Sequence, residues 1–415
     1  MASPKLDVAA LRAKFPALQQ DQVFLDNAGG SQILGAAVDA IRDYLITSNV
    51  QLGASYQVGQ KATARYSEGH QAGARYINSS PDEIVFGAST TQLFRNLSQT
   101  LNFEPGDEIV VSALDHEANV ASWLNLAERQ QLTLKWWKPE QSSNPKLTVE
   151  NLEGLLSDKT RLLVFTHCSN ILGTIHDVKA ITAAAHRYPN LLVGVDGVAY
   201  APHRPIDVRE LGVDFYSFSW YKVFGPHIAM LYASRNAQQQ MRPLGHYFNA
   251  SASLSDKIGF AAGSYELIAS IPVVVDHLQK EGWKAAVTQE SSLQSLLLEY
   301  LTKRDDVTIY GETTPDTKVR VPIVSFKARG WGSRELVETV EKKTSLAFRW
   351  GSFYSNRLIK ETLGLDPADG IVRISPVHFN TGKSIAILYV ARAHFGVVDE
   401  IKAVIAALEE IVVQR

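Results

Sequence analysis

The amino-acid sequence predicts an α/β protein, with a mainly parallel, doubly wound sheet in a large domain and a smaller α+β domain at the C-terminal end. Two observations support this prediction. Strand-like and helical runs alternate between residues 108 and 234, and a chain of 415 residues is long enough for two domains. Such alternation is typical of parallel strands that are joined by helices. The predicted strands lie near 108–114, 132–137, 161–167, 191–196, 214–218 and 228–233.

The domain boundaries are predicted from the regions that flank this alternating pattern. Residues 20–275 are assigned to the large domain, and residues 1–19 together with 276–415 to the small domain. A helical segment near 269–288 is expected to connect the two, and a helix around 8–15 is expected to return to the small domain.

The overall composition argues against several kinds of partner. The net charge is −2 and the pI is about 6.6, so nothing indicates binding to nucleic acid or to an anionic membrane. The first residues lack the apolar core of a signal peptide, and no stretch approaches the length of a membrane span. A single cysteine, Cys168, excludes an intrachain disulfide, and no residues recur at the spacing of metal ligands. We therefore expect a cytoplasmic protein without a metal site.

Lys222 is the most informative residue of the chain. It follows an apolar, aromatic strand-like run and precedes the dipeptide Gly225-Pro226. Because burial of its charge costs free energy, a lysine in this position tends to lose its proton and become an amine nucleophile. That chemistry predicts a Schiff base with the aldehyde of pyridoxal 5′-phosphate (PLP). Taken alone, Lys222 is explained more simply as a surface lysine at a strand end.

Asp196 is the first feature that favours the functional interpretation. It ends the apolar run 191–195 and is followed by Gly197, as expected of a buried parallel strand with a carboxylate at its C-terminal end. Open α/β sheets bind their ligands at that edge. A PLP ring needs an anion there to keep its pyridine nitrogen protonated. On its own, the residue is also compatible with a turn or a helix cap.

The second feature is a predicted phosphate site at residues 87–91. These small and hydroxylated residues precede an amphipathic helix in which Leu93, Leu97 and Leu101 share one face. Free amides and hydroxyls at a helix N-terminus bind phosphate. Helix capping alone would explain the same residues, but together with Lys222 and Asp196 they indicate a cofactor site.

These motifs resemble those of the class V aminotransferases, in the cysteine-desulfurase-like branch of the fold-type I PLP-dependent transferases. The resemblance extends over nearly the whole chain and follows the order and spacing of the family. Its motifs stand at 26–30, 87–91, 115–119, 167–174, 196–199, 218–222 and 372–375.

The resemblance implies which residues bind the cofactor. Lys222 would carry it and shuttle a proton, Asp196 would pair with the ring nitrogen, and His116 would stack on the ring, so catalysis is assigned to these three. Gly263 and Ser264 would reach the phosphate of the neighbouring subunit, which implies a homodimer with shared active sites. The complete set of implied cofactor contacts is Ser89, Thr90, Thr91, His116, Asn170, Asp196, Ser219, Tyr221, Lys222, Gly263 and Ser264.

The resemblance also implies a small amino-acid substrate, bound by Arg373, Asn27 and Tyr354. Arg373 would hold the α-carboxylate through two parallel hydrogen bonds, which suits the geometry of a guanidinium group. Without the resemblance, Arg373 would be interpreted as a solvent-facing strand residue, and His116 as an ordinary loop histidine.

Two positions depart from the desulfurase pattern. The stretch 346–354 resembles the desulfurase loop, but Tyr354 occupies the place of its nucleophilic cysteine. Ala199 stands where desulfurases carry a glutamine that contacts the cofactor. Sulfur abstraction by a loop thiolate is therefore not expected.

Within the family, the chain is similar to a fungal natural-product subgroup that includes the loline-pathway Mannich-type cyclase and the ustiloxin-pathway decarboxylating aldolase. The shared stretches stand at 135–137, 195–199, 202–208, 214–227 and 245–248, and the region 245–256 is expected to line or cover the site. The resemblance implies a PLP-dependent lyase or cyclase that forms a carbon–carbon bond by aldol-type or Mannich-type attack of a quinonoid or enamine. The alternatives are a C–S lyase or desulfinase-like enzyme, an epimerase or transaminase, and a cofactor-binding protein without catalytic activity.

Overall fold

The apolar runs of the sequence form strands that are buried on both faces, and the amphipathic segments between them form helices. The computed structural model describes residues 6–245, 253–259, 263–381 and 399–412. The strands are β1 (Val23–Phe24), β2 (Ile84–Gly87), β3 (Glu108–Ser112), β4 (Thr133–Trp137), β5 (Thr160–Thr166), β6 (Leu192–Asp196), β7 (Phe215–Ser219), β8 (Ala229–Ala233), β9 (Val307–Tyr310), β10 (Val324–Ala328), β11 (Leu346–Ala347), β12 (Arg349–Gly351) and β13 (Ile371–Ile374).

Helices occupy most of the connections. They are α1 (Val8–Arg12), α2 (Gly35–Thr47), α3 (Gln57–Tyr76), α4 (Thr90–Thr100), α5 (Ala121–Gln130), α6 (Val149–Glu153), α7 (Val178–Ala185), α8 (Val208–Leu211), α9 (Arg235–Gln239), α10 (Leu254–Ile258), α11 (Tyr265–Ile268), α12 (Ile271–Glu281), α13 (Trp283–Thr302), α14 (Ser333–Lys343) and α15 (Glu400–Val412). Short 3₁₀ turns lie at Pro16–Gln19, Pro81–Glu83, Glu117–Asn119 and Trp220–Lys222, and a π turn lies at Leu358–Thr362. None of the described helices has the length and apolar composition needed to cross a membrane.

The large sheet contains seven of the described strands, in the order β2-β8-β7-β6-β5-β3-β4. The five strands from β7 to β4 run parallel, whereas β8 is antiparallel to both of its neighbours. Alternate residues of the strands belong to separate apolar clusters on the two faces: Leu163 and Phe165 of β5 pack on one face, and Leu162 and Val164 on the other. The predicted mainly parallel, doubly wound sheet is thus confirmed. The predicted strand positions agree with β3 to β8, but β2 was not predicted.

A second sheet forms the core of the C-terminal part. Four strands pair antiparallel in the order β12-β13-β10-β9, and side chains of α13, α14 and α15 join their apolar cluster. The helix α1 contacts both parts: Leu11 packs in a cluster of the large sheet, while Arg12 pairs with Glu400 at 2.8 Å. The predicted division at residues 19 and 275 therefore stays a prediction.

The predicted connecting helix near 269–288 consists of two helices. The helices α12 and α13 meet at Gly282, whose φ of +80° lies in the left-handed region that favours glycine.

Candidate active site

A cavity of about 520 Å³, open to solvent, lies at the carboxyl ends of β5, β6 and β7 and at the start of α4. This is the edge at which open α/β sheets bind their ligands. All the predicted cofactor-binding residues except Gly263 and Ser264 lie in its wall. The lining residues are Ser89, Thr90, Thr91, His116, Ala118, Thr166, Cys168, Asn170, Asp196, Val198, Ala199, Ser219, Tyr221 and Lys222.

Lys222 enters the cavity from the 3₁₀ turn that follows β7. The side chain is buried, and none of the described carboxylates lies within ion-pair distance of its ammonium group. Burial, together with the positive charge of Arg373, lowers the pKa of Lys222 to about 8, although the negative charge of Asp196 acts in the opposite direction. About a tenth of Lys222 is therefore the neutral amine at pH 7.

Asp196 is the last residue of β6, and its side chain is buried at the wall of the cavity. Burial raises the pKa of Asp196 to about 6, although the Val198 amide, which donates to Oδ1 at 2.8 Å, and the charge of Lys222 lower it. The second carboxylate oxygen has no hydrogen-bond partner among the described residues. A cationic group next to that oxygen would stabilise the ionised form of Asp196.

The start of α4 forms a cluster of hydroxyl groups. Ser89 caps the helix and accepts a hydrogen bond of 3.1 Å from the amide of Gln92. The hydroxyls of Thr90 and Ser219 lie 2.9 Å apart, so α4 and the end of β7 meet at this point. Hydroxyls and free amides at the positive end of an 11-residue helix favour an anion such as a phosphate group.

His116 lines the same cavity and caps the turn Glu117–Asn119. Its Nδ1 accepts a hydrogen bond of 3.0 Å from the Ala118 amide. Two hydrogen bonds of Asn119 fix the turn. Asn119 donates to Asp115 at 2.6 Å, and Trp123 donates to Asn119 at 2.9 Å. Burial, together with the charges of Lys222 and Arg373, lowers the pKa of His116 to about 4. The ring is therefore neutral at pH 7.

The segment 352–355 lies next to Asn170 of the cavity wall, which holds it in place. The Asn170 amide donates to the carbonyl of Phe353 at 3.1 Å, and its oxygen accepts from the Ser355 hydroxyl at 3.1 Å. The carbonyl of Tyr354 accepts from the amide of Glu117 at 2.8 Å. Phe353 and Tyr354 have φ values of +47° and +57°, which are rare for residues other than glycine. These hydrogen bonds hold an unfavourable backbone conformation.

Arg373 lies behind this segment and is almost completely buried. One of its terminal nitrogens donates to Asp26 at 2.7 Å and the other to the carbonyl of Asn170 at 3.0 Å, while its guanidinium lies 3.7 Å from the centre of the Phe353 ring. Arg349 is its direct neighbour across β12 and β13 and approaches Asp26 at 3.5 Å. Asp26 thus offsets the repulsion between two adjacent cations.

Five predicted residues lie outside the cavity wall: Arg373 and Tyr354, described above, and Asn27, Gly263 and Ser264. The side-chain amide of Asn27 donates to the carbonyls of Phe24 and Ser375 at 3.1 and 2.9 Å, so it ties two backbone segments together. Gly263 and Ser264 immediately precede α11 and do not line the cavity of their own chain. The predicted contacts of these five residues stay predictions. The stretch 245–256, which was expected to cover the site, falls largely outside the described residues.

The prediction missed Asp26 as the partner of Arg373. The two residues lie 347 positions apart, and the sequence indicates for Asp26 only its place in the motif 26–30. Thr166 and Val198 were also missed, although each adjoins a predicted site residue or strand end.

The observed donors and acceptors fit PLP. The buried Lys222 amine suits its aldehyde, the free oxygen of Asp196 suits a protonated ring nitrogen, and the hydroxyls at the start of α4 suit its phosphate. Within the part of the chain that the structure describes, no group of three or more His, Cys, Asp or Glu side chains is arranged to hold a metal ion.

Comparisons with known proteins agree with this geometry. The family described as aminotransferase class-V matches residues 23–388. The chain is 50% identical over 398 residues to the aminotransferase-like protein FGM3 of Gibberella zeae, covering 94% of this chain and 99% of that protein. It is 38% identical over 416 residues to the cysteine desulfurase-like protein ustD of Aspergillus flavus, covering 98% and 91% of the two chains. The cysteine desulfurase CsdA of Escherichia coli matches with a TM-score of 0.83 and 25% identity over 98% of each chain.

Proposed function

The chain belongs to the class V aminotransferase family and is therefore a PLP-dependent enzyme, and from this premise we propose that it forms a carbon–carbon bond to a small L-amino acid. The reaction would be an aldol-type or Mannich-type addition, in which a carbon nucleophile generated at or next to the α-carbon attacks an aldehyde or an imine.

The proposal rests on the loop 346–354, which resembles the desulfurase loop but has a tyrosine at the place of its cysteine. Tyr354 stands where the resemblance places a nucleophilic cysteine, and the hydrogen bonds to Asn170 and Glu117 fix the main chain around it. The chain's only cysteine, Cys168, is buried, and its sulfur contacts the carbonyl of Gly173 at 3.3 Å. Burial raises the pKa of the Cys168 thiol, so it is a poor nucleophile. These features argue against transfer of sulfur to a loop thiolate.

The side chains around the cavity supply the other requirements of the reaction. PLP, when bound, supplies an aldehyde for the substrate amine and a protonated ring that accepts electrons from the α-carbon. Asp196 would stabilise that ring charge, and Arg373, oriented by Asp26, would hold the substrate carboxylate. The neutral amine of Lys222, once released by the substrate, can accept and return the α-proton.

A C–S lyase acting on a cysteine derivative is the second candidate. The similarity to proteins named cysteine desulfurase or cysteine desulfurase-like favours a sulfur-containing substrate, and a substrate with a self-departing sulfur group needs no loop thiol. An epimerase uses the same Lys222 chemistry on a single substrate, whereas a transaminase also needs a keto acid that takes up the amino group.

The proposal includes a cytoplasmic homodimer in which Gly263 and Ser264 reach the partner's phosphate. The dimer is supported by an exposed apolar patch, which we call the α2–α3 patch. It consists of Val38, Leu45 and Ile46 on α2 and of Tyr56 and Val58 at the start of α3. The ion pair between Arg65 and Asp43 links the two helices that carry these residues. Exposed apolar clusters of this kind favour association with another protein surface.

Mass spectrometry of the PLP-loaded enzyme distinguishes these reactions. L-Amino acids, including aspartate, serine and cysteine sulfinate, are incubated in D₂O with and without an added aldehyde. Deuterium at the α-carbon, or loss of a side-chain carboxylate, followed by an adduct of the combined mass, is the expected result. Pyruvate or alanine from the sulfur substrate with no adduct from any amino acid would instead establish the lyase.

A further inference from the structure

The turn that carries Lys222 has an unfavourable backbone conformation. Phe224, two residues after Lys222, has a φ of +59°, which is rare for a bulky residue. Within the turn, the amide of Val223 donates to the carbonyl of Trp220 at 2.8 Å. That bond leaves the carbonyl of Tyr221 and the amide of Phe224 to be paired by another part of the chain.

The hydroxyl of Ser31 pairs with both groups. It donates to the carbonyl of Tyr221 at 3.2 Å and accepts from the amide of Phe224 at 2.9 Å. One side chain can make both bonds, because a hydroxyl has one proton to donate and two lone pairs that accept. The Ser31 oxygen thus bridges the residue before Lys222 and the residue two positions after it.

The segment around Ser31 contacts the turn at three further points. The amide of Leu34 donates to the carbonyl of Phe224 at 2.9 Å, and the amide of Ser31 itself donates to the carbonyl of Tyr221 at 3.1 Å. Gly30 lies against the Tyr221 ring, since a Cβ at this position would stand 3.3 Å from the nearest ring carbon. Ser31 precedes Tyr221 by 190 positions, so the turn is held by a segment that is distant in the sequence.

The amine of Lys222 takes its direction from this turn, because none of the described carboxylates lies within ion-pair distance of it. We propose that Ser31 is a positioning residue for Lys222, whose hydroxyl holds the turn in the conformation that directs the amine into the cavity. Ser31 does not line the cavity, so it acts through Lys222 and not by contact with PLP. The proposal concerns only the capture of PLP and holds whichever reaction the enzyme then catalyses.

Capture of PLP is the step that depends on this position. The lone pair of the neutral Lys222 amine attacks the aldehyde carbon, a carbon–nitrogen double bond forms, and the aldehyde oxygen leaves as water with the two amine protons. The step needs no oxidant or reductant. In Ser31→Ala the buried amide of Phe224 loses its acceptor, whereas the carbonyl of Tyr221 keeps its bond to the amide of residue 31. A buried amide without a partner is costly, so the turn is expected to rearrange and to displace the amine.

Reconstitution of the full-length enzyme, after removal of PLP, tests the proposal. Stopped-flow absorbance at pH 8 gives the rate of PLP capture, and borohydride reduction followed by peptide mass spectrometry identifies the lysine that carries PLP. Ser31→Ala is expected to capture PLP about tenfold more slowly than the wild type, because the nucleophile is no longer oriented. Ser31→Thr keeps the hydroxyl and is expected to stay within about threefold of the wild-type rate. Capture at the wild-type rate by Ser31→Ala would overturn the proposal.

Ser234→Ala is the matched control. The Ser234 hydroxyl also donates one hydrogen bond, to Asp214 at 3.2 Å, and accepts one, from the amide of Ala237 at 3.1 Å, but it caps α9 and lies outside the cavity wall. This variant is expected to lower the thermal unfolding midpoint by a few degrees and to leave the capture rate within about twofold of the wild-type value. Equally slow capture in Ser31→Ala and Ser234→Ala would mean that a general loss of stability slows the step, and the role of Ser31 would be wrong.

The hydrogen bond to the Phe224 amide is measured independently of PLP and of any variant. In hydrogen–deuterium exchange of the wild-type enzyme, resolved to single amides by fragmentation, the Phe224 amide is expected to exchange at least about 100-fold more slowly than in an unstructured peptide. Exchange at the unstructured rate would overturn the proposal even if Ser31→Ala does not fold. PLP bound to another lysine of the wild-type enzyme would instead contradict the assignment of Lys222, and the proposal would fail with it.

Discussion

Lys222 determines the pH at which the apoenzyme can capture its cofactor. Because only the neutral amine attacks the PLP aldehyde, a pKa of about 8 predicts that the capture rate rises about tenfold from pH 7 to pH 9 and then levels off. A lysine with an ordinary pKa of about 10.4 would instead give a rise of about 100-fold over this range, with no plateau. Stopped-flow absorbance during reconstitution measures the rate.

The buried thiol of Cys168 provides a second test at the level of single residues. If no sulfur is transferred to the protein, Cys168→Ala should retain more than about a tenth of the activity, with losses limited to packing in a small apolar cluster. Steady-state turnover measures this, with circular dichroism as the folding control. A loss of more than about 1000-fold in a folded variant would show that the thiol takes part in the chemistry.

Single residues also show what the sequence could and could not predict about the site. Lys222 and Asp196 were predictable because each follows a run of apolar residues whose strand direction places it at the ligand-binding edge. The pairing of Asp26 with Arg373 was not predictable, because it depends on how two segments that are distant in the sequence meet in the fold. The left-handed backbone at Phe353 and Tyr354 leaves no trace in the sequence, since neither residue is a glycine or an asparagine.

At the level of elements, the turn after β5 contacts the segment that leads into β10. Gly173 has a φ of +68°, and a Cβ at this position would stand 2.5 Å from the carbonyl oxygen of Ile323. Gly173→Ala should therefore destabilise the protein by roughly 2–4 kcal/mol, since the left-handed backbone and the steric clash both contribute. Thermal unfolding of the PLP-saturated enzyme measures the effect.

Gly106 provides the matched control for this substitution. Its φ is +88°, but no atom lies within 4 Å of the position of an added Cβ. Gly106→Ala should cost only the backbone contribution, about 1–2 kcal/mol. Equal shifts of the unfolding midpoint in the two variants would mean that the close approach of Ile323 adds nothing to the loss of stability in Gly173→Ala.

The elements differ in how well the sequence predicts them. The strands β3 to β8 are predictable because each is a short apolar run between polar connections. The sequence predicts one continuous connecting helix, whereas the chain turns at Gly282 between α12 and α13. The sequence does not distinguish the two arrangements, because a single glycine can lie within a helix or end it. The short strand β2 directly precedes the predicted phosphate site, and its four residues are too few for a periodic pattern.

At the level of the whole molecule, the α2–α3 patch predicts association of two copies. Ile46 is 68% exposed and lies at the end of α2. If the patch is buried in a dimer, Ile46→Asp should raise the dissociation constant at least about tenfold, because a charge would lose its hydration in an apolar contact. Sedimentation velocity over a range of concentrations measures this constant.

Ser292→Asp on α13 is the control, since it adds the same charge at an exposed polar position outside the patch. It should leave the dissociation constant within about threefold of the wild-type value. A monomeric wild-type protein with full activity would contradict both the dimer and the predicted roles of Gly263 and Ser264.

The burial of Cys168 has a practical consequence for spectroscopy of this enzyme. The chain has no other cysteine, and this one is shielded from solvent, so maleimide or nitroxide reagents find no accessible thiol on the native fold. A cysteine introduced on the surface would therefore carry the only label, without prior removal of native thiols. Distances across a pair of subunits, or between the two sheets, can then be measured by electron paramagnetic resonance in the otherwise unaltered protein.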